Sequence, residues 1–129
     1  MPTGLPAVTG DVLTAANYNS LVAFTIGTTQ TADYTSVLND SYQTLVVMNK
    51  ATAINFTIPT DASVAYPVGT ALTVLNIGAG ACTIKAVTAG TTTVLSAGAT
   101  AAQPSLAQYK TAVCIKTAAN TWYVVGGIA

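Results

Sequence analysis

Leu72-Thr73-Val74-Leu75-Asn76-Ile77 runs into Gly78-Ala79-Gly80-Ala81 and out through Cys82-Thr83-Ile84-Lys85-Ala86-Val87. Two short runs of aliphatic and β-branched residues around small turn formers predict a β-hairpin, with glycine supplying the left-handed backbone that a tight connection requires. The same signal recurs on both sides. Leu45 to Met48 and Ile54 to Ile58 flank Asn49-Lys50-Ala51-Thr52, where Asn49 is the expected residue of positive φ. In the second of these strands Ile54, Phe56 and Ile58 alternate with Asn55 and Thr57, giving one buried and one polar face. Ala112 to Lys116 and Trp122 to Gly126 flank Ala118-Ala119-Asn120, again with Asn at the turn. Pro59 to Pro67 and Gly98 to Pro104 read as longer loops.

Upstream the pattern changes. Met1 to Gly10 holds two Pro, two Gly and two Thr, which suits an extended arm. Thr14 then stands as a helix cap, with Leu13 as staple and Tyr18, Leu21 and Val22 on one side of a short helix. The expected division is residues 1–22 as arm and helix and 23–129 as β-domain. The expected fold is all-β, a small β-sandwich or barrel-like module of antiparallel hairpins, preceded by an extended N-terminal arm and one short helix.

Charge narrows the function. A typical domain of 129 residues carries about 32 ionic side chains, whereas this chain has four Lys, four Asp and no Arg, Glu or His. A neutral chain so poor in charge associates, so much of its surface is expected to be covered. The Trp122-Tyr123-Val124-Val125 strand is apolar on both faces and needs cover on both sides. Few charged or proline residues blunt the strand edges. Lys50, Lys85, Lys110 and Lys116 are scattered, which speaks against a nucleic-acid face. The uncharged stretches 62–84 and 86–109 are broken by Gly, Pro, Thr, Ser and Asn, so neither is a membrane span. Met1-Pro2-Thr3-Gly4 lacks the charged start and apolar core of a secretory signal.

Catalytic means are few. Without His the commonest general base is missing, and without Glu or Arg any acid pair or oxyanion clamp must come from Asp, Lys, Cys or Tyr. Asp33, Asp40 and Asp61 lie among turn formers and are expected to cap turns. Cys82 and Cys114 form no metal-spaced pair and read as small core residues. Gly78-Ala79-Gly80 precedes a strand and lacks the third glycine of a dinucleotide loop. The expectation is a non-enzymatic chain with no catalytic, cofactor-binding or metal site and no cofactor.

The order Asp33-Tyr34-Thr35, Leu45 to Met48, Ile54-Asn55-Phe56-Thr57-Ile58-Pro59, Tyr66-Pro67-Val68-Gly69-Thr70 and Gly78-Ala79-Gly80 resembles a small β-module of tailed-bacteriophage virion proteins. Ala107-Gln108-Tyr109, the strand through Lys116, and Asn120-Thr121-Trp122-Tyr123-Val124-Val125-Gly126 are similar to that module's closing hairpin. The likeness covers roughly residues 30 to 127. Gly10 to Asn19 likewise resembles segments leading into phage fibre and head-decoration proteins. The chain departs from the pattern in its Thr- and Ala-rich stretch 88–102.

The resemblance implies a virion protein made in the bacterial cytoplasm and carried on the capsid surface. There it would decorate and cement the shell as a homotrimer bound to the major capsid protein. Pro2, Leu5, Pro6, Val8, Leu13 and Tyr18 are the expected shell-attachment residues; Tyr109, Trp122, Tyr123 and Val125 are the expected subunit contacts. The competing expectation is a tail- or head-fibre module that binds a host receptor or surface glycan. Neither nucleic acid nor membrane is an expected partner.

Overall fold

The computed structural model describes residues 14, 15, 23–96 and 103–128. Ten strands follow in chain order: β1 (Thr25–Ile26), β2 (Tyr34–Thr35), β3 (Thr44–Met48), β4 (Ile54–Ile58), β5 (Ala71–Asn76), β6 (Cys82–Ala86), β7 (Thr93–Ser96), β8 (Ser105–Leu106), β9 (Lys110–Ala118) and β10 (Thr121–Gly126). They form a six-stranded sheet ordered β1-β3-β5-β9-β10-β7 and a four-stranded sheet ordered β2-β4-β6-β8. The described chain is therefore all-β in two sheets. The expected arm and helix, with Pro2, Leu5, Pro6, Val8, Leu13 and Tyr18, lie outside the described residues, except for Thr14 and Ala15 of the helix signal.

Two of the three expected hairpins are not hairpins. β3 and β4 lie in different sheets, and so do β5 and β6. Each connection is an arch that carries the chain from one sheet to the other. The arches stack in parallel: Leu45 pairs with Thr73 in the large sheet, and Ile54 pairs with Cys82 in the small one. β1 and β2 add a third layer, Ile26 beside Leu45 and Tyr34 beside Phe56. Backbone bonds continue through the bends. Asn49 N–H donates to Gln30 O at 2.8 Å, Ile77 N–H to Met48 O at 2.9 Å, and Gly80 N–H to Lys50 O at 2.9 Å.

Stacking explains the glycines. Gly78 and Gly80 are absent from the positive-φ residues, as is Asn49. A Cβ on Gly78 would instead overlap the Lys50 backbone, and one on Gly80 the Thr52 carbonyl. Their service is close approach between layers, not a left-handed turn. Asn76 fastens the bend from within. Its fully buried amide donates to Gly80 O and to Leu106 O, each at 2.9 Å, and its Oδ1 accepts from Gly78 N–H at 3.1 Å. An Asn here satisfies three backbone groups that no aliphatic residue could serve.

The closing hairpin is as expected. β9 and β10 pair antiparallel, and Asn120 takes φ 49° in the turn between them. β5 pairs antiparallel with β9, so the hairpin covers one side of the parallel stack. The short strands β1, β2 and β8, and β7 within the Thr- and Ala-rich stretch, carry too little periodicity to stand out in sequence.

Both sheets feed one hydrophobic core. Val46, Met48, Leu72, Val74, Cys114, Trp122 and Val124 come from the large sheet; Ile54, Phe56, Ile58, Cys82, Ile84 and Leu106 come from the small one. Trp122 is fully buried in this core, edge-on to Tyr66 with centroids 5.5 Å apart and planes at 89°. Such a pair adds about 0.5–1.5 kcal/mol beyond burial of the rings themselves. The Tyr66 hydroxyl donates to Val37 O at 2.7 Å and lies 2.9 Å from the Ser36 hydroxyl, which ties the loop before β5 to the one after β2.

Candidate interaction surface

Alternation fixes what each sheet shows on its outer side. On the small sheet, register places Thr35, Thr57 and Lys85 in one row and Asn55, Thr83 and Ser105 in another. Asp33 extends this polar face: its carboxylate accepts from Asn55 N–H at 3.0 Å and from Asn55 Nδ2 at 2.9 Å. Those bonds hold the Asp33 carboxyl below the usual range, the side-chain bond contributing most. The Thr35 and Thr57 hydroxyls meet at 2.8 Å. This face is built for water.

The large sheet shows the opposite chemistry. Ile26, Leu45, Thr73, Val113 and Val125 form one continuous row across five strands. Ala71, Ile115, Tyr123 and Leu95 form a second, and Val47, Leu75 and Thr111 a third, in which Val47 is already buried at 6% exposure. Ile26 is 66% exposed, Val125 50% and Tyr123 45%. No described charge lies in these rows. Lys85 and Asp33 belong to the polar side, Lys50 to an arch, Lys110 to the row of Met48 and Asn76, and Asp40, Asp61 and Lys116 to internal bonds.

The expected contact residues thus divide. Tyr123 and Val125 sit on the apolar face. Trp122 does not: it is wholly buried in its own chain's core, because alternation along β10 turns it inward with Val124, and it has no surface to offer a second subunit. Tyr109 is 75% exposed but lies apart from these rows, in the turn before β9, at φ 64°. Ile26, Leu45, Val113 and Ile115, which sequence reading left out, share the face; the signal for them is their register, which pattern within a single strand does not reveal.

The aspartates also divide. Asp40 caps a local turn as expected, accepting from Val37 N–H at 2.9 Å and from the Tyr34 hydroxyl at 2.8 Å. Asp33 and Asp61 do not cap local turns but reach 22 and at least 55 residues along the chain. Lys116, buried to 4%, donates from Nζ to Asp61 Oδ1 at 2.8 Å and to the Tyr66 carbonyl at 2.6 Å.

Among the described residues no three His, Cys, Asp or Glu side chains gather in a metal-holding group. Both cysteines are free and buried; burial pushes the Cys82 thiol up to about 11 and the Cys114 thiol up to about 12, so neither is a ready nucleophile. A shallow cavity of about 240 Å³ beside β7 is lined by Lys85, Thr92, Thr93 and Gln103 with apolar neighbours, and Lys85 is the one ionisable group among the described residues that line it. No described helix is long and apolar enough to cross a membrane. Comparison with family models, with curated proteins and with solved structures finds no match for the chain.

Proposed function

We propose that this chain is a structural, non-enzymatic virion protein of a tailed bacteriophage, a two-sheet sandwich that decorates and cements the capsid surface as a homotrimer. One observation carries the structural part of this reading: the two outer faces are chemically opposite, one polar and the other apolar without a described charge. A contiguous apolar surface of this kind marks a site of association. The virion setting rests on the resemblance of residues 30 to 127 to the phage β-module, and the shell contact on the arm and first helix expected over residues 2 to 22.

The role is mechanical. A protein bound across the joints between shell subunits stabilises the assembled state by mass action, so decorated heads hold their DNA to higher temperature than stripped ones. Many copies on one lattice add avidity to each weak contact. The test is to count the chain in purified virions and to compare thermal DNA release from decorated and stripped heads. Hundreds of copies and a raised release temperature support the role. A handful of copies points to the fibre reading, which the exposed, positive-φ Tyr109 favours as a ring available for stacking on a sugar. Glycan-array binding lost in Tyr109→Ala supports that alternative.

A further inference from the structure

We infer that Gly126, Gly127 and Ile128 form a strap that crosses from one sheet to the other, holds β8 in place and releases it without unfolding the large sheet. β10 belongs to the six-stranded sheet through Gly126, which pairs with Ala112. Two residues later Ile128 bridges antiparallel to Leu106 of the four-stranded sheet.

Glycine makes the crossing possible. Gly126 stands at φ +124°, a conformation that side chains rarely adopt, and a Cβ there would lie 2.6 Å from Thr111 O and 3.0 Å from Ala112 Cα. Gly127 follows against Lys110, whose Cβ would be 3.1 Å from an added methyl. The chain thus passes close over the start of β9 on its way to β8.

The strap completes a buried row. Ile54, Cys82 and Leu106 pair side by side across the small sheet, each fully buried, and Ile128 takes the next place. Residues paired across strands project to the same side, so Ile128 packs against the core and covers the outer flank of Leu106. The attachment is slight. Gly127 N–H donates to Thr111 O at 2.9 Å and the bridge to Leu106 is isolated, whereas β10 is paired with β9 along its length and with β7 through Val124. A segment held by so few bonds opens at a lower free energy than the sheet it leaves. Release pivots at Gly126, keeps Trp122 and Val124 in the large sheet, and makes Leu106 the outermost member of the row, with Cys82 next behind it. Cys114 stays covered throughout, because Leu72 on β5 and Val124 on β10 flank it.

The two thiols therefore read the strap. Maleimide labelling of the full chain at pH 7, resolved by mass spectrometry of its peptides, is the test. In Ile128→Ser, Cys82 is expected to react about tenfold faster than Cys114, whereas in the wild type both wait on global unfolding. Ile128→Ala, the milder change, is expected to give the same order and serves if the first variant loses its far-ultraviolet β spectrum. Hydrogen exchange of the wild type needs no variant: the Gly127 amide should exchange well before those of Trp122 and Val124. Selective labelling of Cys82 together with early exchange at Gly127 supports the strap. Equal labelling of the two thiols in a folded variant, or a Gly127 amide that exchanges only with those of β10, overturns it.

Discussion

Asp61 and Asn120 hold each other reciprocally: Asp61 N–H donates to Asn120 Oδ1 at 2.9 Å, and Asn120 N–H donates to Asp61 Oδ2 at 3.0 Å. The clasp joins the loop after β4 to the turn of the closing hairpin, and Lys116 completes it from below. Removing Asp61 strands the buried Lys116 ammonium, whereas removing Lys116 leaves a carboxylate that keeps 27% exposure and its bond from the Asn120 N–H. Asp61→Ala is therefore expected to cost about 2–3 kcal/mol, below the range for fully buried pairs because the Asp61 side chain keeps 27% exposure. Lys116→Met should cost less. Urea denaturation of both variants checks the order, and equal losses would contradict it.

The same carboxyl gives a pH dependence. The bond from Lys116 lowers its pKa most, burial opposes, and the Asn120 N–H lowers it further, leaving it below its ordinary 3.8. A lowered folded pKa contributes stability that is complete above the unfolded value and is lost as pH falls through the folded one. The wild-type urea midpoint should therefore be level above about pH 5 and fall below about pH 4, where an unfolded Asp begins to bind its proton. Asp61→Asn should lower the midpoint at pH 7 and reduce that acid slope, to which Asp33 also contributes; an unchanged slope would remove Asp61 as a source.

Gly80 and Gly69 separate two kinds of glycine. Gly80→Ala drives a methyl into the Thr52 carbonyl of the next layer, whereas Gly69, at φ +95°, has open space around it. Overpacking against backbone is expected to cost about 3 kcal/mol or to abolish folding, while Gly69→Ala pays only local strain of about 1–2 kcal/mol. Thermal denaturation monitored by circular dichroism ranks the two. If Gly80→Ala melts no lower than Gly69→Ala, the layers are not stacked this closely.

The thiols report on opening of the core. Cys114 and Cys82 are both fully buried, Cys82 between Ile54 and Leu106 in the small sheet, so both should resist a maleimide at pH 7 and react only at the rate of global unfolding. Mass spectrometry over a labelling time course measures this. Labelling of Cys114 faster than unfolding in urea would show a local opening of β9.

The strands on either side of each loop could be read in the sequence, but not the sheet to which they belong. Asn120 betrayed a true hairpin because a tight antiparallel turn requires positive φ, and Asn accepts it. Gly78-Ala79-Gly80 offered the same local signal for a different reason: the layer above, 28 residues earlier, occupies the space of a side chain. The legible clue was the shared offset. Leu45 meets Thr73 and Ile54 meets Cys82 at the same separation of 28 residues, so strand, bend and strand repeat as a unit. On the outer face, Tyr123 and Val125 stood out because β10 is long and apolar on both sides. Ile26 did not, because β1 has only two residues and gains its meaning from Leu45 beside it.

Layers that touch only their neighbours in the stack make a module of adjustable height. A duplicated unit of 28 residues could be slotted between β3–β4 and β5–β6, meeting matching backbone above and below while leaving the final ribbon and its tryptophan untouched. The fold therefore carries within it a route to longer, taller descendants that need invent no new contact.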